Sequence, residues 1–239
     1  MHVQIGPTRF LGALTMYVTN PNELTVAAPV LSPECNSARS AETRLKAGSY
    51  LFFEGDEVEW LYQVTDGVLR LTRLLEDGRR QVIAFGYPGD IVGFPSNGLH
   101  HTDCDVLVDA RLQPYRRSIL EDGAGDPKLH QDLLQAALRE IGAMQDHFMM
   151  LGRKSAAEKV ASFLCVLTQR VGQDRDGHKH IQLPMSRADI ADFLGLTTET
   201  VSRTLTQLRK ARIIAIENIH SVSVLHPTAL LGLSLGDRE

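Results

Sequence analysis

The chain has 239 residues, 43% apolar and 23% charged, the balance of an ordinary globular protein with core enough for one large domain or two small ones. No apolar run approaches the roughly 20 residues of a membrane span, and the opening MHVQIGPTRFLGALTMY lacks the basic start and long apolar block of a signal peptide, so the expected location is the cytoplasm. The net charge of −4 argues against a nucleic-acid binder only until it is divided: residues 1–152 carry 13 Lys+Arg against 20 Asp+Glu, and residues 153–239 carry 12 against 9, so a polyanion would meet the C-terminal end.

Residues 1–44 form an N-terminal arm with Pro7, Pro21, Pro29 and Pro33, little periodicity and a turn at NPNE, expected to pack on the block after it. Residues 45–125 read as strands. SYLFFEGD, WLYQVTDGVLRLTRLLEDGRRQVIAFGYPGDIVGF and CDVLVDARLQPY alternate apolar and polar positions, and Glu-Gly-Asp, two Asp-Gly pairs and Pro-Gly-Asp punctuate them. Short strands at such spacing predict a sandwich or barrel. The second Asp-Gly, Asp77-Gly78, lies between apolar runs and should close a hairpin.

Residues 126–152 hold a long helix, with Pro127 at its first turn and Gly152 at its end. Leu134, Ala137, Ile141, Met144, Phe148 and Leu151 step by 3, 4, 3, 4 and 3. That is a heptad seam, the spacing that pairs two helices. The plainer alternative is a stripe packed on the strands, but Leu133, Leu138 and Met149 widen the apolar surface enough to touch both its own domain and a partner. A parallel dimer helix is expected.

Residues 153–239 form the last block. AAEKVASFLCVLTQRVG is an amphipathic helix with Val160, Phe163, Leu164 and Leu167 inward, DRDGHKH a turn, IQLP a strand, IIAIENIHSVSVL two strands around a turn, and the tail from Pro227 an apolar turn or helix. Between them Ile190, Ala191 and Leu194 mark a short helix, and Gly195 supplies the left-handed residue of a sharp turn. Thr197 caps a second helix that has Glu199 in its first turn. Val201, Leu205 and Leu208 face inward, while Glu199, Ser202 and Arg203 project together.

This is a helix-turn-helix with a polar reading face. Arginine can fork onto guanine O6 and N7, a carboxylate can accept from cytosine N4, and a serine can bond either way or lie against a thymine methyl. An ordinary helical hairpin would instead use Glu199 and Arg203 as an i, i+4 surface pair. The short loop, the turn glycine and the basic cluster Arg203, Arg209, Lys210 and Arg212 favour the DNA reading. Thr198 begins the reading face. Ser186 and Arg187, at the start of the first helix, suit a phosphate, and Ser186 also reads as an N-cap completed by Asp189.

The stretch LPMSRADIADFLGLTTETVSRTLTQL, Leu183 to Leu208, resembles the DNA-binding motif of the CRP/FNR superfamily. Its E-x-x-S-R element, Glu199, Ser202 and Arg203, resembles the FNR and FixK branches rather than the CRP branch, which has glycine where Ser202 stands. The strands resemble the β-roll of the same superfamily through EGD (Glu54–Asp56), DGVLRL and YPGDIVGF. The resemblance implies an α+β chain: an N-terminal β-roll of the cyclic-nucleotide-binding, jelly-roll type, a long dimerisation helix, and a C-terminal winged helix-turn-helix. It further implies a homodimer on a palindromic double-stranded DNA operator with TTGA-like half-sites, where Arg203 reads guanine, Glu199 a cytosine and Ser202 a neighbouring thymine. It also implies transcription activation through RNA polymerase, and no enzymatic activity.

Three ligands need weighing. A cyclic nucleotide in this superfamily needs a Gly-Glu element followed by an Arg-Ser or Arg-Thr pair; here Gly89-Asp90 leads to IVGFPSNGLHHTDCDV, with no arginine between Gly89 and Val106, so the phosphate would lose its charge-assisted partner. FNR-type sensors hold an iron–sulfur cluster on about four cysteines, whereas Cys35, Cys104 and Cys165 are widely separated; reduced thiols are expected, the latter two buried and inert among apolar neighbours. His100, His101 and Cys104 suggest a metal, but adjacent histidines on a strand point to opposite faces, and a polar loop is expected. No cofactor and no metal are expected, which aligns the chain with the FixK group, regulators of microaerobic respiration, denitrification or nitrogen fixation active without a small effector. An effector-dependent receptor of the same fold and a cupin-type metalloprotein are the alternatives.

Overall fold

The computed structural model describes residues 41–123 and 125–236; of the N-terminal arm only the last four residues fall within them, and Cys35 lies outside. Six antiparallel strands build the first block: β1 (Thr43–Leu45), β2 (Tyr50–Phe52), β3 (Trp60–Leu74), β4 (Arg80–Gly86), β5 (Ile91–Val92) and β6 (Asp103–Arg116). The order runs β1-β6-β3-β4, with β2 also on β6 and β5 on β3. The alternation read in the sequence fills the interior of this roll with Val64, Leu69, Leu71, Ala84, Val106 and Leu112.

The two Asp-Gly pairs behave differently. Asp77-Gly78 turns the chain between β3 and β4, whose register closes at Leu74 opposite Arg80. Asp66-Gly67, expected as a turn, lies inside the 15-residue β3, where the register against β6 shifts. Gly67 has φ of 88°, and a Cβ there would collide with the Asp109 carbonyl. The glycine serves a bulge rather than a turn, because the backbone of β6 passes against it.

A short helix that the strand pattern does not foretell, α1 (Arg117–Asp122), ends on left-handed Gly123. It leads into α2 (Pro127–Arg153), capped by Asp126, whose carboxylate accepts from the Leu129 amide. This helix runs one residue past Gly152 to a cap at Lys154. Leu129 and Leu133 join Leu61, Ile91, Tyr115 and Ile119 in one cluster, fixing the N-terminal half of α2 on the roll.

The last block contains α3 (Ala156–Val171), the hairpin β7 (Gln173–Arg175) and β8 (His178–Gln182), α4 (Arg187–Leu194), α5 (Thr198–Lys210), the hairpin β9 (Ile214–Asn218) and β10 (Ser221–Val224), and α6 (Pro227–Leu235). Ser155 and Glu158 form a capping box at the start of α3, whose inward residues Val160, Phe163, Leu164 and Leu167 are all buried. The segment DRDGHKH is a hairpin rather than a bare turn, its β8 joining β10 in the order β7-β8-β10-β9. The core of this block is continuous with the roll, since Val68, Val82, Phe85 and Tyr87 belong to the same buried cluster as Phe163, Phe193, Val201 and Leu205.

Candidate nucleic-acid interface

The turn between α4 and α5 is Gly195-Leu196-Thr197. Gly195 sits at φ 60° and caps α4 by donating to the Ala191 carbonyl, and Thr197 caps α5 by accepting from the Thr200 amide. Val201, Thr204, Leu205 and Leu208 are buried on the inner side of α5. Thr198, Glu199, Ser202 and Arg203 are all exposed on the outer side, a run at i, i+1, i+4 and i+5 on one helical face. Glu199 and Arg203 form no ion pair among the described residues, so the guanidinium and the carboxylate each keep their hydrogen-bonding groups for another molecule. Arg209, Lys210 and Arg212 continue the exposed basic edge.

The start of α4 is more constrained than the sequence implies. The Ser186 hydroxyl accepts from the Asp189 amide at 3.1 Å and donates to the Asp189 carboxylate at 2.7 Å, while the Ser186 amide donates to the same carboxylate at 2.9 Å. Arg187 is half-buried, its Nη1 is enclosed without a hydrogen-bond partner, and burial lowers its pKa. A buried guanidinium N–H without an acceptor is an uncompensated group.

Sequence reasoning treats Asp189 as a cap alone. In the structure it is the centre of an ion cluster that joins the helix-turn-helix to the roll. Its Oδ1 accepts from Arg70 Nη1 and from Arg80 Nη2, each at 2.6 Å. Arg80 also reaches Asp192 at 2.8 Å, and Gln81 Nε2 donates to the Asp192 carbonyl. Burial opposes ionisation of Asp189, but the Ser186 groups and the Arg70 guanidinium outweigh it and hold the carboxyl below its usual range. Arg70 and Asp189 are 119 positions apart, so no local pattern could announce the contact.

A second bridge gives Asp90, which stands where the superfamily's Gly-Glu element would be, a structural partner. Asp90 is fully buried and turned toward the last block, where Arg170 Nη2 on α3 lies 2.6 Å from its carboxylate. The described lining of the roll's cavity includes Gly93 and Phe94 but neither Gly89 nor Asp90.

That cavity, about 350 Å³, lies between the roll and α2. Phe52, Leu71, Ile83, Phe94 and Met144 are among its lining residues. Its described lining includes Glu140 and no lysine or arginine. His100 and His101 lie in a loop before β6, as expected, and because they are not on a strand both can line the cavity. His100 stacks on Phe52 with centroids 3.7 Å apart, and burial lowers the pKa of both histidines. Among the described residues no three His, Cys, Asp or Glu side chains converge as metal ligands. Cys104 and Cys165 are buried; burial raises both thiol pKa values, that of Cys165 to about 11.

The heptad seam of α2 is largely uncovered. Phe148 is 74% exposed, Ile141 52%, Met144 42% and Leu134 41%, with Leu138 and Met149 exposed beside them. Ala137 and Leu151 are partly covered, Leu151 by the last block's core. An apolar stripe of this length on a water-facing helix is a surface built to be covered.

Comparison with known proteins gives a consistent assignment. Residues 42–112 match the family model of the cyclic nucleotide-binding domain, and residues 158–233 that of the Crp-like helix-turn-helix domain. The nitrogen fixation regulation protein FixK of Rhizobium meliloti is 36% identical over 203 residues, covering 85% of this chain and 92% of that protein. The transcriptional activatory protein AadR of Rhodopseudomonas palustris is 39% identical over 167 residues, 70% of each chain. The solved structure of FixK2 from Bradyrhizobium japonicum superposes with a TM-score of 0.73 at 36% identity, covering 81% of this chain and 96% of that one.

Proposed function

Because this chain belongs to the FixK-type branch of the CRP/FNR superfamily of transcription regulators, we propose that it acts as a homodimer that presents two α5 helices to successive major grooves of an inverted-repeat operator. The observation that carries this is the pairing of two exposed surfaces. The α5 face bears Thr198, Glu199, Ser202 and Arg203 without internal ion pairs, and the α2 seam of Leu134, Ala137, Ile141, Met144, Phe148 and Leu151 is left largely open. To read two half-sites one turn of B-DNA apart, a two-fold axis along α2 must hold the reading helices about 34–36 Å apart. Arg203 then forks onto the guanine of a TTGA-like arm, Glu199 accepts from a cytosine, and Ser202 meets a thymine. Ser186, with the first-turn amides of α4, faces a phosphate; Arg187 joins it by swinging out of its half-buried position, which would give its stranded Nη1 an acceptor.

The protein works in the cytoplasm as an activator in contact with RNA polymerase, on genes of nitrogen fixation, denitrification or microaerobic respiration; the names of its relatives support activation, nitrogen fixation and anaerobic respiration. It does so without a cyclic nucleotide, whose phosphate would enter an apolar cavity that offers, among its described lining residues, Glu140 and no lysine or arginine.

A mobility-shift titration tests the reading. A duplex with two inverted TTGA arms should bind at least about ten times more tightly than one with a single scrambled arm, since the dimer then reads one arm only, each mismatched pair being worth about 1–3 kcal/mol. Equal affinity for the two duplexes would remove the dimeric base-reading scheme.

A further inference from the structure

The block that carries the helix-turn-helix hangs from α2 by Lys154 and Ser155, the two residues between the end of one helix and the start of the next. So short a tether leaves the block's angle to be set by contacts. Two kinds are present. The apolar kind centres on Phe193 of α4, which meets Phe85 of the roll edge-on at 5.2 Å and stacks on His147 of α2 at 4.5 Å. Burial holds His147 down to about 4 in pKa against the pull of its hydrogen bond to the Phe193 backbone, so the imidazole is neutral and lays its aromatic face on the Phe193 ring. Apolar contact is non-directional and tolerates sliding. The ionic kind is directional. Arg70, Arg80 and Gln81 come from the facing strands β3 and β4 and reach two points one turn apart on α4, Asp189 at its first turn and Asp192 beyond it; the buried Asp90–Arg170 bridge also ties the roll to the last block, but it holds α3 and not the helix-turn-helix.

We infer that Arg70, Arg80 and Gln81 are positioning residues for DNA recognition, which fix the angle of α4 and α5 on the roll through Asp189 and Asp192. The inference rests on the proposed DNA-binding function. The latched arrangement leaves Thr198, Glu199, Ser202 and Arg203 exposed, as a binding-competent one must, and the latch assigns it that state. A duplex that engages two reading helices at a fixed separation selects blocks already held at the right angle. A loosened block reduces the competent fraction and the apparent affinity with it. The latch also gives a physical basis for DNA binding without an effector: the ions that orient the block are supplied by the roll itself.

Simple charge effects predict the opposite sign at one position, which makes the idea testable. Asp192→Asn removes a negative charge from the DNA-binding block, so electrostatics alone would tighten binding to any DNA. The latch requires that it weaken binding to the inverted-repeat duplex, by about five-fold over two subunits for partly exposed bridges, while affinity for an unrelated duplex stays equal or rises. Arg80→Met should weaken repeat binding as well, and the Arg80→Met, Asp192→Asn double variant should bind no more weakly than Arg80→Met alone, because the partner is already gone. Repeat binding by Asp192→Asn as tight as wild type or tighter, or losses that add in the double variant, would overturn the latch. A wild-type protein that shows no preference for the repeat over the unrelated duplex overturns the DNA reading itself, so the two failures are distinguishable.

Discussion

Arg203→Ala should weaken operator binding by about 1–3 kcal/mol for each half-site, roughly 5- to 150-fold per arm and the product of the two for the dimer, and erase the preference for one base pair in each arm. The size follows from chemistry. A bidentate guanidinium on guanine O6 and N7 is the commonest specific contact in the major groove, and removing it leaves two base acceptors unpaired where water re-enters poorly. Stability should hardly change, since Arg203 is exposed and bonded to no other described side chain. Arg187→Ala is the informative contrast. A phosphate contact supplies affinity without sequence information, so this variant should weaken all duplexes alike and reduce the slope of log affinity against log salt by about one for each phosphate no longer neutralised. Anisotropy titrations on a set of single-base operator variants at several salt concentrations separate the two roles. If both variants lost the same base preference, the division between reading and anchoring residues would be wrong.

The second large effect is expected at the centre of the α2 seam. Ile141→Asp should convert the protein to a monomer at micromolar concentration and abolish operator binding, while leaving each chain folded. The residue is 52% exposed in the single chain, so a carboxylate there stays hydrated in the monomer. In a dimer it would be desolvated opposite its own symmetry mate, a penalty of several kcal/mol with no counter-ion to offset it. Ile141→Leu keeps the volume and polarity and should remain dimeric. Sedimentation velocity reads the assembly and circular dichroism the fold. A dimeric Ile141→Asp protein would mean that the seam is not the subunit contact.

Much of this arrangement was legible in the sequence, for reasons that differ between elements. The helix-turn-helix is a local object: Ser186 and Asp189 at one cap, left-handed Gly195 at the turn and Thr197 at the next cap fix it within a dozen residues. The apolar rhythm of α2 marks which face is uncovered, because heptad spacing and helix geometry together set the stripe. The roll was legible as alternating strands, but dipeptide signals were ambiguous within it. Asp77-Gly78 turns and Asp66-Gly67 bulges, and what separates them is the backbone of β6 beside Gly67, which lies far along the chain. Asp90 is the same lesson with charge. Its neighbours in sequence show only that a nucleotide grip is missing, whereas its partner is Arg170, 80 positions on. The ion cluster on Asp189 and Asp192 was out of reach for the same reason, since contacts between blocks depend on how two finished surfaces meet.

The central claim is that two copies of the α5 face read DNA through a two-fold axis, and selection of bound duplexes from a random pool by the full-length protein tests it most directly. The selected sequences should converge on two TTGA-like arms in inverted orientation, their centres about one helical turn apart. Convergence on a single arm, on arms in direct repeat, or on no motif would contradict it.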